Sequence, residues 1–465
     1  MRSLTIASTL FEYLVLYRLN DHHQKSFGQR LREACERLGP TFIKLGQLLS
    51  TRYELLKEED CIELQRLLDQ VPVMPPEIVR AVIRQDFGKE LEELYSKFDL
   101  VPIASASIAQ VHKAQLHDGS VVAVKVRRQH VHKIIRADIR VFKRLMRIAK
   151  LFSPTLRHVK ILSIIDEYER WLLIENDFRH EAKNLDDMRA YYADYHEAFA
   201  GSGGKIICPN RYPDFCTRNI LTMEFIDGVP LSKYRSIQHH PEYDLERSLR
   251  VFINVSIRAL FQEKTYIFTA DPHAANILIL KGGDVAVVDF GLVERFDADL
   301  TRRTVDLFMA VYAKNVEAAI RAGLRLSYAD SSYAERIRPD FIEYIRKAEH
   351  AGIGFWFMEV VRICIRRKVP LPEELKLFGR ANTVLDGMVA TVLPGRTTIE
   401  LMGPELKRAL RNRIMNNIRH IDYASVLFHL TEKVRESPVH AHLLIDRYWD
   451  NPLQFIRDVK KAVVE

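Results

Sequence analysis

The sequence predicts an α+β fold of two lobes, a small β-containing lobe followed by a helical one, with a helical segment in front. Its 465 residues exceed what a single hydrophobic core usually spans, so two lobes are the default. Strand-like runs begin only after Pro102 and come as turn-linked pairs. From Ala298 onwards the apolar pattern is helical nearly to the end. These features divide the chain into a helical extension (1–100), a β-containing lobe with inserted helices (101–228) and a helical lobe with a C-terminal extension (229–465).

The run Leu4–Tyr17 is apolar but short, interrupted by Glu12 and followed by no small-residue cleavage site. It therefore reads as an amphipathic helix and not as a secretory signal. Apolar periodicity runs through Phe27–Leu56 and Cys61–Leu68, and Pro72, Pro75 and Pro76 mark a break before a helix near Glu77–Asp86. Gln110–Leu116 and Val121–Val126 flank His117-Asp-Gly-Ser120, and Asp-Gly between β-rich runs signals a hairpin. A second hairpin pairs Ile277–Leu280 with Val285–Val288 across Lys281-Gly-Gly-Asp284. Pro370, Pro372 and Pro394 break the helical pattern that follows.

The hydrophobic share of 47% and charged share of 28% place the chain among ordinary folded proteins. Its five cysteines are scattered without a C-x-x-C pair, which argues against a structural zinc or disulfide framework and fits a reducing compartment. No stretch approaches the roughly 18 apolar residues of a membrane span. Gly352–Ile365 is too short and contains Glu359 and Arg362. The net charge of +8 concentrates between Lys125 and Lys160, on Arg136, Arg140, Lys143, Arg144, Arg147 and Lys150. Ile135, Ile139, Phe142, Leu145, Met146 and Ala149 recur there at helical spacing, giving one amphipathic basic helix. A solvated basic face is the first reading and a membrane surface the second. Nucleic acid comes last, because no recognition motif accompanies the charge. The expected location is cytoplasmic, with peripheral attachment at the inner membrane through the basic or the N-terminal helix.

Two runs carry chemistry. Asp271-Pro-His-Ala-Ala-Asn276 followed by Asp289-Phe-Gly291 has the order and spacing that protein kinases use. There the first Asp positions a nucleophile, while the Asn and the second Asp hold Mg²⁺ against nucleotide phosphates. Val122-Ala-Val-Lys125 matches the kinase strand whose lysine neutralises phosphate charge. Read alone, Lys125 is a surface lysine on an edge strand; the hairpin before it and the Asp-Asn-Asp set after it favour the functional role. Leu221–Gly228 reads as a strand ending in a turn and resembles a kinase hinge, with backbone groups around Glu224–Ile226 facing an adenine edge. A Gly-rich loop is replaced by Ala104-Ser-Ala-Ser107-Ile-Ala-Gln110. Alanine largely forbids the positive φ that glycine permits, so this loop is expected to be stiffer. His273 has no second histidine at ligand spacing and reads as a structural, hydrogen-bonded group.

The alanine-rich loop followed by Gln110-Val-His112 resembles the UbiB/ADCK family of atypical kinase-like proteins, linked to ubiquinone biosynthesis and lipid metabolism. Leu38–Arg52 resembles that family's signature, with its K-x-G-Q element at Lys44, Gly46 and Gln47. Glu175-Asn-Asp177 matches the E-x-D element, and Glu181-Ala182 follows at the expected distance. The likeness is collinear from Leu38 to just beyond Gly291. Glycine inside a helix costs roughly 1 kcal/mol relative to alanine, tolerable at Gly46 where another backbone packs closely. A buried Lys44 needs an acidic partner, which Glu175 and Asp177 can supply.

The resemblance implies an atypical protein-kinase-like bilobal fold that binds ATP or ADP with Mg²⁺ on Asn276 and Asp289. It makes Ala104, Ser105, Ala106, Ser107, Lys125, Glu224 and Ile226 the nucleotide contacts. It pairs Lys125 with Glu181, gives Asp271 the attacking hydroxyl or water, and sets Lys44 over the site, where it blocks a peptide. The implied activity is slow ATP hydrolysis or small-molecule or lipid phosphotransfer supporting ubiquinone or isoprenoid-lipid biosynthesis. The implied partners are a nucleotide, a quinone or isoprenoid lipid or membrane surface, and a quinone-biosynthesis protein complex. The alternatives are a catalytically silent, nucleotide-gated lipid-binding scaffold and, behind it, a Ser/Thr protein kinase. Two departures stand out: Ala274-Ala275 replaces the family's Pro-Gly, and Thr51–Leu56 departs from the commoner Arg-Pro-Asp.

Overall fold

The computed structural model describes residues 2–13, 25–50, 56–64, 66–67, 73–106, 108–128, 131–152, 162, 165–166, 168–169, 177–198, 204–262, 264–348 and 351–403, all within the unit Met1–Gly403. The front segment is helical: α1 (Arg2–Phe11), α2 (Phe27–Leu38), α3 (Pro40–Leu49) and α4 (Glu58–Leu64). Ser26 and Gln29 cap α2 reciprocally, each side chain accepting from the other's backbone N–H. Gly39 takes φ 88°, closes α2 by donating to the Cys35 carbonyl at 3.0 Å, and accepts from Phe42 and Ile43 to open α3. The periodicity of Phe27–Leu56 thus spans two helices that pivot on one glycine.

After α5 (Pro76–Phe87) and α6 (Leu91–Leu94) the chain builds an antiparallel sheet from β1 (Lys97–Phe98), β2 (Ala104–Ser105), β3 (Ala109–Gln115), β4 (Val121–Arg127) and, later, the strand Ile220–Glu224. The expected hairpin is β3–β4, in register from Ala109↔Arg127 to Gln115↔Val121. Period-two alternation sorts the faces of β4. Val122, Val124 and Val126 are fully buried against Val79, Val82 and Ile83 of α5. Ala123 and Lys125 look the other way.

The basic helix α7 (Val131–Phe152) follows β4. Its Ile135 and Ile139 are buried, and Phe142, Leu145 and Met146 half-buried, in one core with Leu38, Phe42, Leu45, Leu64 and Leu67 of the front segment. Phe42 and Phe142 meet edge to face at 5.7 Å. Asp138, fully buried on this face, is held by the Arg2 guanidinium at 2.8 and 2.6 Å. The extension is therefore packed onto the kinase-like part through α7. A Cβ at Gly46 would lie 2.3 Å from Leu67 Cδ1 and 3.2 Å from Cys35 Sγ. Close packing is the reason for the glycine as expected, but the neighbours are side chains and not a backbone.

Among the described residues the chain continues with α8 (Phe178–Ala198), β5 (Ile206–Ile207), β6 (Ile220–Glu224), β7 (Val229–Pro230), α9 (Leu245–Leu260), β8 (Tyr266–Thr269), β9 (Ile277–Ile279), β10 (Val285–Val287) and β11 (Val293–Phe296). The β9–β10 hairpin is antiparallel as the sequence indicates, and β8 pairs with β11. Helices α10 (Ala298–Tyr312), α11 (Val316–Leu326), α12 (Ala334–Lys347), α13 (Ile353–Arg367) and α14 (Glu373–Val392) complete the large lobe. This is the α+β, helix-rich kinase-like architecture. All five cysteines are free, and Cys35, Cys61, Cys208 and Cys364 are buried. Among the described residues no helix is long and apolar enough to cross a membrane.

Gly46→Ala is expected to lower the unfolding free energy by about 1–3 kcal/mol, read as a lower denaturation midpoint. Leu67→Ala should then cost less in the Gly46→Ala background than alone, because it vacates the space the new methyl needs. Equal costs in both backgrounds would contradict this packing.

Candidate active site

Because Lys125 occupies the β4 face opposite the valines, its side chain reaches α8. Its ammonium lies 2.6 Å from Glu181 Oε1 and 3.5 Å from Asp289 Oδ2, with the Lys125 and Glu181 side chains only 14% and 7% exposed. Glu181 stands in the first turn of α8, where the helix dipole favours a carboxylate. Burial opposes the ammonium, but the charges of Asp289 and Glu181 outweigh it and raise the Lys125 pKa, so the lysine stays protonated. Burial lifts the Glu181 carboxyl above its ordinary range, with Lys125 pulling the other way.

The same helix grips the Asp-Phe-Gly segment. Phe290 N–H donates to Glu181 Oε1 at 3.5 Å, and Asn184 Nδ2 donates to the Phe290 carbonyl at 3.0 Å. Asp289 Oδ1 accepts from Gly291 N–H at 2.9 Å, while the carboxylate keeps 37% exposure. Val288 N–H donates to the Asn276 carbonyl at 3.1 Å, which sets Asn276 and Asp289 at the same end of the β9–β10 hairpin. One carboxylate beside one carboxamide, open to solvent, fits Mg²⁺, which completes its shell with water and phosphate oxygens. Among the described residues no group of three His, Cys, Asp or Glu side chains could hold a metal by themselves.

Asp271 follows β8 and is brought beside Gly291 by the β8–β11 ladder and by Ala270 N–H donating to Leu292 at 3.0 Å. Its Oδ1 meets His273 Nε2 at 3.2 Å and accepts from Arg380 at 3.1 Å. Burial raises this carboxyl, but the His273 hydrogen bond and the charges of Arg380, His273 and Lys44 prevail and hold it well below the usual carboxylate range. His273 is raised in turn, chiefly by its hydrogen bond to Asp271. The Lys44 charge is felt at Asp271, so α3 of the extension approaches the Asp271–Asn276 segment.

The alanine-rich loop is a tight hairpin. Ala104 and Ser105 pair with Val111 and Gln110, and Ala106 N–H donates to Ala109 at 2.8 Å. Arg128 pins it, donating to the Ala106 carbonyl at 2.9 Å and to Ser105 Oγ at 2.8 Å. Ser107 and Glu175 lie outside the described residues. Gln110 and His112 explain the motif beside the loop: Gln110 Oε1 accepts from Met74 N–H at 2.6 Å, and His112 Nδ1 bonds the Asp99 carbonyl at 2.8 Å. Gln47 donates to the Leu67 carbonyl at 3.4 Å, a tie within the extension.

Two further expected segments have defined surroundings. Asp177 is engaged by Arg179 at 2.7 Å and Arg218 at 3.6 Å, while Glu175, the other candidate partner for Lys44, lies outside the described residues. In the hinge, Phe225 N–H donates to the Val121 carbonyl at 3.1 Å and is committed to the sheet, and Glu224 Oε2 is tied to Asn210 at 2.6 Å. Ile226 sits half-buried in the segment that follows β6. Sequence reasoning missed Asn184, Arg128 and Arg380. Asn184 had a signal, one helical turn after Glu181 on the same face. Arg380, 109 residues from Asp271, had none.

A model of the ABC1 atypical kinase-like domain matches residues 66–322. The chain is 33% identical over 410 residues to a "Probable protein kinase UbiB" of Vibrio vulnificus, covering 85% of this chain and 73% of that one. It is 29% identical over 403 residues to a protein of the same name from Pseudomonas aeruginosa, covering 83% and 72%. An uncharacterized protein in the hydrogenase 1 5' region of Clostridium pasteurianum is 28% identical over 435 residues, covering 92% and 78%.

Lys125→Met leaves Glu181 buried without its counter-charge and is expected to cost roughly 3–5 kcal/mol at pH 7. A carboxyl raised by burial takes up a proton as the pH falls, so the deficit should shrink towards pH 5. Denaturant melts of both proteins at the two pH values check this; a deficit that grows on acidification would contradict it.

Proposed function

The chain belongs to the UbiB/ADCK family of ABC1 atypical kinase-like proteins, and on that premise we propose that it binds ATP or ADP with Mg²⁺ and slowly transfers the γ-phosphoryl group to water or to a small hydroxyl acceptor. The observation that carries this reading is the contact of the buried Lys125 with both Glu181 and Asp289, which sets a positive charge beside Asp289, one of the two candidate metal-binding side chains. A phosphate-neutralising lysine needs this support, since an ammonium left unpaired in a buried site loses its proton or leaves.

Each residue then has a task. Lys125 neutralises phosphate charge, and Glu181 holds it there. Asn276 and Asp289 would hold Mg²⁺, which when bound would offset the charge of the phosphates. Asp271 orients the attacking oxygen. Its carboxylate is held so acidic by His273 and Arg380 that it aligns the nucleophile and does not store the proton, which leaves with the phosphorylated product or to solvent. As the new P–O bond forms, the bond to the bridging oxygen breaks and ADP departs. A transition state with little nucleophile charge build-up suits such a weak base.

The Lys44 charge acting on Asp271 supports a small acceptor over a peptide, since an extension that approaches this carboxylate would crowd a peptide chain. Support of ubiquinone or isoprenoid-lipid biosynthesis is the role this family membership favours. The outward face of α7 suits a membrane surface: Arg136, Arg140, Arg144 and Arg147 are exposed alongside Ile134, Ile148 and Leu151. Lys143 does not belong to that face, since Asp166 and Glu169 hold it at 2.6 Å each.

ATP consumption measured with and without anionic vesicles tests the proposal. Turnover stimulated by vesicles and reduced about a hundredfold or more by Asp289→Asn, roughly 2.7 kcal/mol of barrier, supports it. Nucleotide binding without turnover in the wild type would turn the reading to a nucleotide-gated scaffold. Reversing Arg136, Arg140 and Arg147 to glutamate should abolish cosedimentation with the vesicles, and undiminished cosedimentation would remove α7 as the contact.

A further inference from the structure

Resting on that reading, we propose that Arg380 is a positioning residue for Asp271, carried to the reaction centre by α14, a helix that lies beyond the matched family domain. Its guanidinium donates to the same oxygen, Oδ1, that meets His273. Two donors on one carboxylate oxygen, arriving from different elements, fix the plane of the group. Among the described residues nothing donates to Oδ2, so that oxygen is the one presented to the acceptor hydroxyl or water.

The geometry of the helix makes the contact dependable. Phe378, two residues before Arg380, is 1% exposed. It packs against Tyr266 at 5.9 Å and Phe268 at 5.3 Å on β8, against Phe296 at 5.2 Å on β11, and against Phe357 of α13 at 4.8 Å. The β8 strand runs into Asp271, and β11 begins two residues after Gly291. The helix that carries the arginine is thus keyed to the two strands that carry the carboxylates. A Cβ at Gly379 would lie 2.8 Å from Met358 Sδ, so α14 is also seated closely on α13. The Arg380 side chain is 15% exposed, buried deeply enough that its bond to Asp271 is little weakened by water.

A bland role is also available to Arg380: plain neutralisation of a buried carboxylate. The two roles differ in what a lysine can replace. A lysine restores the charge but not the directed N–H fork of a guanidinium.

Full-length wild type, Arg380→Met and Arg380→Lys are compared by thermal melting and by steady-state ATP turnover. Positioning calls for kcat to fall about tenfold to a hundredfold in both variants with the KM for ATP unchanged, since Arg380 touches the carboxylate and not the phosphates. Arg380→Lys should recover the melting temperature while kcat stays low. Full recovery of kcat in Arg380→Lys, or a raised KM with kcat intact, overturns the proposal. Wild type that turns over no ATP overturns the proposed function and this role with it; wild type that turns over while Arg380→Met is equally fast overturns this role alone.

Discussion

A lysine ammonium buried between two carboxylates is the constraint on which the rest of this structure depends. Lys125 cannot be withdrawn from water alone, because the uncompensated penalty is several kcal/mol. It therefore requires Glu181 at 2.6 Å, which requires α8 to begin where it does. The same carboxylate receives the Phe290 N–H, which holds the Asp-Phe-Gly segment against the helix and turns Asp289 towards the lysine. One charge cluster thus locks a strand, a helix and a loop from three distant parts of the chain.

The extension adds a second constraint. Its α2 and α3 share a core with α7, and Gly46 lets α3 approach the segment after α4. That packing brings the Lys44 charge to bear on Asp271. Asp271 ends up hydrogen-bonded to His273 and Arg380 and under the charge of Lys44, a setting suited to orienting a nucleophile and poorly suited to storing its proton. The alanine-rich loop, pinned by Arg128, belongs to the same design of fixed backbone where other kinase-like folds use glycine.

Local chemistry was legible in the sequence wherever neighbours along the chain decide the outcome. The Asp118-Gly119 hairpin, the alternation that turns Lys125 away from the buried valines, and the apolar stripe of α7 all follow from short-range pattern. The Lys125–Glu181 contact was legible only through resemblance. What stayed hidden depends on three-dimensional neighbours. Lys143 reads as part of a basic face, yet Asp166 and Glu169 claim it. The ion pairs of Asp177 with Arg179 and Arg218 had no signal in the sequence pattern either. No local pattern could connect Arg380 to Asp271, because helix packing over the Phe378 cluster makes that contact. Periodicity also ran across Gly39 without registering its positive φ.

The charge cluster around Lys125 and Asp289 is proposed to serve a nucleotide and its metal. Calorimetric titration of ATP into the full-length chain, in Mg²⁺ and again in EDTA, tests it most directly. The expected result is a single nucleotide bound, about tenfold or more tighter with Mg²⁺, a difference of roughly 1.4 kcal/mol. Equal affinity in the two buffers, or no heat in either, would contradict it.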